Sequence, residues 1–283
     1  KESRVHAVEQ CVGAEARAGE AVTLQSAGDL GARTASARRA GRTIVAGGGD
    51  GTINAVASHV ARTGAALGIL PLGTLNHFAK DLGIPLELEA AVKVVTAGHT
   101  RLVDIGEVNG AIFLNNSSFG IYPRVVRLRE QKEELGHPRW AAFTWAILHV
   151  LRRPSNVDVH LDVDGKRLVR RTPFVLVSNN CYETKGLGLG ERKTLDGGRL
   201  GLYLLKDAGR RALLRVAAHA FTGTLERSVE FEQHEAKEIR VEGRHRRATL
   251  ALDGEVSVMQ MPFDYKILPG ELSVLVPKPE AAS

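Results

Sequence analysis

Two glycine-rich polar stretches stand out because each directly follows a short apolar run typical of a buried strand. Residues 47–54 read Gly-Gly-Gly-Asp-Gly-Thr-Ile-Asn after the run 43–46, and residues 71–79 read Pro-Leu-Gly-Thr-Leu-Asn-His-Phe-Ala after the run 67–70. Glycines leave backbone N–H groups open to an anion, and the helical pattern from Ile53 adds a positive helix N-terminus. We therefore predict a phosphate-binding site here; the alternative is a tight turn.

The polar side chains of these stretches suit polyphosphate chemistry. Asp50 is expected to act through Mg²⁺, water or a lysine, and its alternative role is to cap the helix that follows it. Thr52 and Thr74 offer hydroxyls to phosphate oxygens. Asn54 and Asn76 are candidates for fixing loop geometry or binding a ribose, and for Asn76 a helix N-cap is the alternative.

An acidic turn near the end of the chain is the candidate catalytic base. Asp253 and Glu255 flank Gly254 after the alternating pattern of Leu250 and Leu252. Phosphoryl transfer to an alcohol needs a carboxylate that accepts the hydroxyl proton as the transfer proceeds. Asp-Gly is equally a common hairpin turn, which leaves a structural role open. The sequence does not decide which carboxylate accepts the proton, and we predict that both are essential.

These motifs resemble the catalytic domain of the diacylglycerol kinases, a family that includes bacterial lipid kinases and the sphingosine and ceramide kinases. The resemblance rests on residues 48–52, 71–79, 103–106, 113–116 and 252–255. It implies an ATP-dependent lipid kinase that uses Mg²⁺ and transfers the γ-phosphoryl group to diacylglycerol or a related lipid in a cleft between two domains. It places the base at Asp253 or Glu255. The implied nucleotide contacts are Gly48, Gly49, Asp50, Gly51, Thr52, Asn54 and Thr74.

The chain departs from the family pattern at position 77, in the run 196–201 and in the first phosphate loop. His77 stands where relatives usually carry Asp, and Gly197 and Gly201 replace acidic residues that in many bacterial relatives bind a structural Mg²⁺. Asp196 remains, but a single carboxylate makes a poor site for a hard cation, so we predict no structural metal. The first phosphate loop of relatives has no counterpart, and we expect that its strand lies upstream of Lys1 or that it is absent.

Composition limits the partners and the location of the protein. The 283 residues are 43% hydrophobic, carry a formal net charge of +6 and include two cysteines with no metal-binding spacing. No apolar run approaches a membrane span. We expect a cytoplasmic protein in peripheral contact with the inner face of the membrane, where it meets a lipid substrate. We expect no nucleic-acid partner, and a homodimer is the oligomeric state to consider. The apolar stretch 140–151 is expected either to be buried or to dip into acyl chains.

The pattern of elements predicts a two-domain fold. Residues 1–104 alternate helix and strand, which indicates an α/β nucleotide-binding domain with a mainly parallel sheet, similar to NAD kinases and diacylglycerol kinases. Residues 105–276 read as antiparallel strands of a β-sandwich that carries the acidic turn, and 277–283 as a tail. The predicted strands are 21–24, 43–46, 67–70, 157–163, 173–178, 200–205, 229–231, 239–242, 248–252 and 272–276. The predicted helices are 2–18, 29–40, 53–62, 87–97, 124–135, 140–151 and 208–220.

Two other functions remain open at this stage. An NAD kinase shares the Gly-Gly-Asp-Gly-Thr motif, although the loop 71–76 and the turn 252–255 argue against it. A catalytically weak lipid-binding or regulatory protein would account for the missing first phosphate loop and the lost acidic positions.

Overall fold

The computed structural model describes residues 30–152, 156–182, 192, 194–205 and 231–278. Within these ranges the chain forms two compact units, the first extending to Ile105 and resuming at Pro269, the second covering Gly106–Leu268. The predicted helices 2–18 and 208–220 and the predicted strand 21–24 lie outside the described residues.

The first unit is an α/β domain. Its elements are α1 (Leu30–Arg39), β1 (Ile44–Gly48), α2 (Asp50–Val60), β2 (Ala66–Pro71), α3 (His77–Asp81), α4 (Leu88–Ala97) and the unit's parts of β3 (Thr100–Val108) and β14 (Phe263–Leu275). Strand β2 lies between β1 and the end of β14 and is parallel to both. Its residues 67–71 are all buried, as expected for a parallel strand covered on both faces.

Helix α2 begins earlier than its apolar pattern predicts. The expected start at Ile53 is wrong, because Asp50, Gly51 and Thr52 already form the first helical turn. The helix buries one face, which consists of Ile53, Val56, Ala57 and Val60. This spacing of three and four residues is that of an amphipathic helix packed on a sheet. The glycine-rich loop is therefore shorter than the sequence indicates.

The second unit is an antiparallel β-sandwich with a helical hairpin. Its further elements are β4 (Ala111–Phe113), β5 (Asn116–Gly120), α5 (Ile121–Glu134), α6 (Arg139–Arg152), β6 (Val157–Val163), β7 (Lys166–Thr172), β8 (Phe174–Asn179), β9 (Leu200–Leu205), β10 (Phe231–Ala236), β11 (Glu238–Gly243), β12 (Arg247–Leu252) and β13 (Glu255–Gln260). One sheet has the order β10-β9-β8-β5-β12-β13. In the facing layer β11 lies between β6 and the first residues of β14.

The sandwich core is built from the alternating inward residues of both layers. Phe119 of one layer packs edge-on against Phe263 of the other, with ring centroids 5.6 Å apart. Val177 and Leu202 on one side and Leu161 and Val241 on the other belong to the same buried cluster. Both the α/β unit and the antiparallel sandwich confirm the predicted fold class.

Candidate functional site

The first glycine-rich loop ends at the N-terminus of helix α2. Gly49 is the N-cap residue of α2, in an extended conformation, and among the described residues no side chain bonds to the first-turn N–H groups. The N–H groups of such a turn have no partner within the helix and carry the positive end of its dipole. Thr52, in the same turn, is exposed. The local arrangement is that of an anion-binding helix terminus.

The glycines allow the two loops to pack backbone against backbone. A Cβ on Gly73 would lie 2.4 Å from the Cα of Gly49, and one on Gly48 would lie 2.6 Å from the Cβ of Thr52. The backbone N–H of Leu72 also donates to the carbonyl of Gly48 at 3.0 Å. The glycines thus have a packing role in addition to any ligand role, and a side chain at position 73 would push the loops apart.

The carboxylate of Asp50 links the two loops. Its Oδ1 accepts a hydrogen bond from the backbone N–H of Phe78 at 3.1 Å, in the first turn of α3. The prediction that Asp50 caps its own helix is wrong, since Asp50 is itself the first residue of α2 and Gly49 is the N-cap. The carboxylate caps the helix of the second loop instead of its own helix.

Asn76 holds the second loop in shape from inside. It is the N-cap residue of α3, with φ of 51° and no side-chain cap bond, so the expected N-cap position is confirmed without the usual capping bond. Its buried side chain instead accepts from the N–H of Gly73 and donates to the carbonyls of Gly73 and Pro71. Thr74 stays exposed on this loop.

The structure brings the predicted nucleotide contacts together at one edge of the first unit. Because β1 and β2 are adjacent and parallel, both loops leave the sheet at the same end. This is where ligands bind in open α/β sheets. Within the described residues, the buried Oδ1 of Asn54 in α2 has no hydrogen-bond partner. The predicted contacts gathered here are Gly48, Gly49, Asp50, Gly51, Thr52, Asn54 and Thr74.

In the second unit the acidic turn is a two-residue hairpin between β12 and β13. Leu252 pairs with Glu255, and both central residues have positive φ, 47° for Asp253 and 89° for Gly254. This is the conformation for which Asp-Gly is favoured. Asn109-Gly110 and Asp164-Gly165 form two more such turns with the same signs of φ. The Asp-Gly pair at 253–254 thus has the local structural role that its residue types predict.

The carboxylate of Asp253 is engaged by the backbone of a neighbouring segment. It accepts N–H hydrogen bonds from Leu114 at 2.7 Å, Asn115 at 2.8 Å and Asn116 at 2.9 Å. Burial raises the pKa of Asp253 to about 6, against the opposing effect of the three N–H donors and of the positive charge of Arg192. The side chain therefore anchors the turn to the start of β5.

Arg192 is a positioning residue that sequence reasoning missed. Its buried guanidinium donates to the carbonyl of Leu114, to the carbonyl of Asn179 at 3.2 Å and to Oδ1 of Asn115 at 2.9 Å. The same segment that binds Asp253 through its N–H groups is thus held from the other side through its acceptors. No local pattern around Arg192 could have indicated this role.

Glu255 differs from Asp253 in its surroundings. It is the first residue of the edge strand β13 and is exposed. Within the described part of the chain no hydrogen bond or ion pair engages its carboxylate. Of the two predicted catalytic carboxylates, Glu255 is therefore the one whose oxygens are accessible to a substrate.

The structure also explains the local roles of Asp104, Asp196 and Gly201. Asp104 is buried and accepts the N–H of Gly270, a residue of β14 with a φ of 66°. Asp196 accepts a bond from the hydroxyl of Thr194. A side chain at Gly201 would meet the hydroxyl oxygen of Ser178 at 2.6 Å, which explains why no acidic residue fits there.

Within the described residues, no three acidic, histidine or cysteine side chains converge on a metal site, and none of the helices has the length and hydropathy needed to cross a bilayer.

Comparison with known proteins agrees with both units. Residues 3–108 match the diacylglycerol kinase catalytic domain, and residues 117–276 match the YegS C-terminal NAD kinase beta sandwich-like domain. The chain is 33% identical over 247 residues to the diacylglycerol kinase of Bacillus subtilis, covering 84% of this chain and 78% of that protein. It is 27% identical over 244 residues to an uncharacterized protein of Synechocystis sp., covering 83% of this chain and 54% of that relative, and so spans about half the relative's length.

A solved structure shares the fold. The crystal structure of a putative diacylglycerol kinase from Bacillus anthracis superimposes with a TM-score of 0.74 at 22% identity, covering 98% of this chain and 92% of that one. At this identity the likeness establishes the fold alone. The two matched segments and the B. subtilis relative establish the family: the chain belongs to the diacylglycerol kinase catalytic domain family of bacterial lipid kinases.

Proposed function

We propose that this protein is an ATP-dependent lipid kinase that transfers the γ-phosphoryl group to a hydroxyl of diacylglycerol or a related lipid. The observation that carries the proposal is the joining of two phosphate-type loops at one sheet edge. The first turn of α2, which no described side chain caps, begins directly after the first loop and carries the exposed Thr52, while the exposed Thr74 lies on the second loop. Asn54 follows in α2, and its Oδ1 has no hydrogen-bond partner among the described residues. Together they provide donors and acceptors for a nucleotide.

The first-turn N–H groups of α2 and the hydroxyls of Thr52 and Thr74 would bind the phosphates of ATP. Mg²⁺, when bound with the nucleotide, would neutralise negative charge on its phosphates. The carboxylate of Asp50 is a suitable hard-ion ligand, because only its Oδ1 bonds to Phe78. Asn54 would present its amide to the nucleotide from the second turn of α2.

Glu255 would receive the proton of the attacking hydroxyl. In the reaction the lipid oxygen forms a bond to the γ-phosphorus, the bond from that phosphorus to the bridging oxygen breaks, and ADP leaves. The exposed carboxylate of Glu255 is available as acceptor, whereas that of Asp253 already accepts three N–H bonds. We therefore assign Asp253 to holding the turn and Glu255 to the proton transfer.

The test is a phosphotransfer assay with labelled ATP on a panel of diacylglycerol, sphingoid base, ceramide and NAD. We expect one lipid class to be phosphorylated, and the Glu255→Gln variant to lose at least about 100-fold in kcat with normal folding. Label in NAD instead of lipid would overturn the proposal in favour of an NAD kinase. Vesicle binding with no turnover of any acceptor would identify a lipid-binding protein.

A further inference from the structure

Helix α6 has a packed face and an exposed face. Together with α5 it forms a helical hairpin in the second unit, joined through a small buried cluster of apolar side chains. The cluster consists of Val125, Ala146 and Val150, with Ile121, Leu128, Phe143 and Ile147 packed against it. These residues account for one side of α6 only. The other side needs a separate explanation.

The exposed side of α6 carries large apolar residues. Trp140 is 70% exposed, Leu148 52% and Trp145 39%, and Leu135 in the turn before the helix is 73% exposed. Trp140 and Leu148 lie about two helical turns apart and so share a side. We call Trp140, Trp145 and Leu148 the outer face of α6. Exposed apolar residues grouped in this way mark interaction surfaces.

Thr144 and Lys132 are two polar side chains beside the outer face whose polar groups are engaged locally. Thr144 donates its hydroxyl to the backbone carbonyl of Trp140 at 2.8 Å, so this hydroxyl is satisfied within the helix. The ammonium of Lys132 lies 4.4 Å from the ring centroid of Trp145. The ring of His149 stacks on the same tryptophan, with the two ring centroids 4.9 Å apart. The sequence 139–152 contains no acidic residue and has an arginine at each end.

These features fit an anionic lipid bilayer. Tryptophan side chains favour the boundary between headgroups and acyl chains, and basic residues beside them bind anionic headgroups. A second copy of α6 is disfavoured as the occupant, because the helix contains no acidic residue and so offers no carboxylate to the Lys132 ammonium beside Trp145. We infer that the outer face of α6 lies in the interface of an anionic bilayer, with Trp140 and Leu148 inserted among the lipids. This inference rests on the proposed lipid substrate, which would be encountered there.

The chain itself supplies a specific probe, since both of its tryptophans, Trp140 and Trp145, lie on α6. In the Trp145→Phe variant, all tryptophan emission comes from Trp140. Vesicles of phosphatidylglycerol and phosphatidylcholine with brominated acyl chains should shift this emission to the blue and quench it. Trp145, held by Lys132 and His149, should be quenched less in the matching Trp140→Phe variant. Phosphatidylcholine vesicles alone should give weaker binding.

A second experiment separates docking from catalysis. The Trp140→Ala/Leu148→Ala double variant should partition onto the anionic vesicles about tenfold less, since two inserted side chains are removed. The control is Leu86→Ala/Val169→Ala, which truncates two other exposed apolar residues and should bind as the wild type does. Kinase activity on vesicle-borne lipid should fall with binding, while turnover of a water-soluble, short-chain diacylglycerol stays unchanged.

Three results would overturn the inference. The first is binding of the vesicles without quenching of Trp140, which would locate docking elsewhere. The second is equal vesicle binding by the double variant and the wild type, or no vesicle binding by either. The third is a wild-type dimer that becomes a monomer in the double variant by sedimentation, which would make the outer face a contact between copies. Absence of kinase activity on both lipids would contradict the proposed function alone, because the vesicle measurements need no turnover.

Discussion

The carboxylate of Asp50 accepts the backbone N–H of Phe78 at 3.1 Å and so joins two loops that the sequence separates by 28 positions. One residue at the start of α2 thereby orders the start of α3. The same aspartate is the candidate ligand for the nucleotide's metal. Its structural and chemical roles can be separated by substitution, because asparagine keeps an oxygen acceptor but loses the charge.

We therefore predict different effects for two variants at Asp50. Asp50→Ala should lower the free energy of unfolding by about 1.5 kcal/mol, since the N–H of Phe78 loses a charged acceptor. Asp50→Asn should lower it by less than half of that amount, yet both should lose most phosphotransfer activity. Urea denaturation and a steady-state kinase assay measure the two effects. Equal destabilisation by both variants would show that the charge itself holds the loops.

Gly73 should tolerate no side chain. Gly73→Ala places a methyl group 2.4 Å from the Cα of Gly49, which is backbone and cannot swing away. We expect a loss of about 2 kcal/mol in the free energy of unfolding and weaker nucleotide binding. Gly47→Ala is the control, because its methyl would lie 3.3 Å from the flexible side chain of Leu72. A Gly73→Ala protein as stable as the control would contradict the backbone contact.

The two carboxylates of the acidic turn should differ in their contribution to stability: Asp253 should contribute strongly and the exposed Glu255 should not. Asp253→Ala removes the acceptor of three backbone N–H groups and puts alanine at a φ of 47°. We expect a loss of about 3 kcal/mol in the free energy of unfolding, and a smaller loss for Asp253→Asn. Glu255→Gln should leave stability unchanged. Thermal denaturation of the three variants checks this, and a destabilised Glu255→Gln protein would refute the division.

Arg192 should affect turnover more than nucleotide binding. Its guanidinium bonds the carbonyls of Leu114 and Asn179 and the side chain of Asn115, and so supports the segment that holds Asp253. Arg192→Met should cost about 3 kcal/mol in stability, and Arg192→Lys should restore little of it because lysine cannot form the fork of bonds. At a temperature where the lysine variant is still folded, it should show a lower kcat with an unchanged KM for ATP. A raised KM with normal kcat would argue against positioning of the turn.

Acid should weaken the second unit through Glu232. The Arg170 guanidinium, bonded to this carboxylate through Nε and Nη2, together with His234, lowers the pKa of Glu232 from 4.5 to about 2. A carboxyl group whose pKa is lower in the folded state stabilises the fold at any pH above its unfolded-state pKa. This stabilisation is lost as the pH falls from about 4.5 to about 2. Because the side chain of Arg170 is 39% exposed, we expect the ion pair to contribute only about 1 kcal/mol to the free energy of unfolding. Glu232→Gln should remove this part of the acid dependence in urea titrations at several pH values.

Local sequence rules predicted much of the fold. The buried run before each loop, the apolar spacing of α2 and the Asp-Gly turns depend on a few neighbouring residues, and these elements were found close to their predicted positions. Strand β5 was missed because its sequence, Asn-Ser-Ser-Phe-Gly, has no apolar alternation. It is a strand because β8 and β12 pair with it on both sides.

The amino-acid sequence alone determined the family, the fold class and the residues that belong to the two loops and the acidic turn. Its motifs are local, because glycine, proline and Asx residues act on the backbone within a few positions. Only the tertiary structure decided what the carboxylates do. Asp253 meets its donors at Leu114, Asn115 and Asn116 across 139, 138 and 137 positions of chain, and Arg192 reaches Leu114 across 78. Contacts over such separations depend on how strands pair, and no local pattern encodes that pairing.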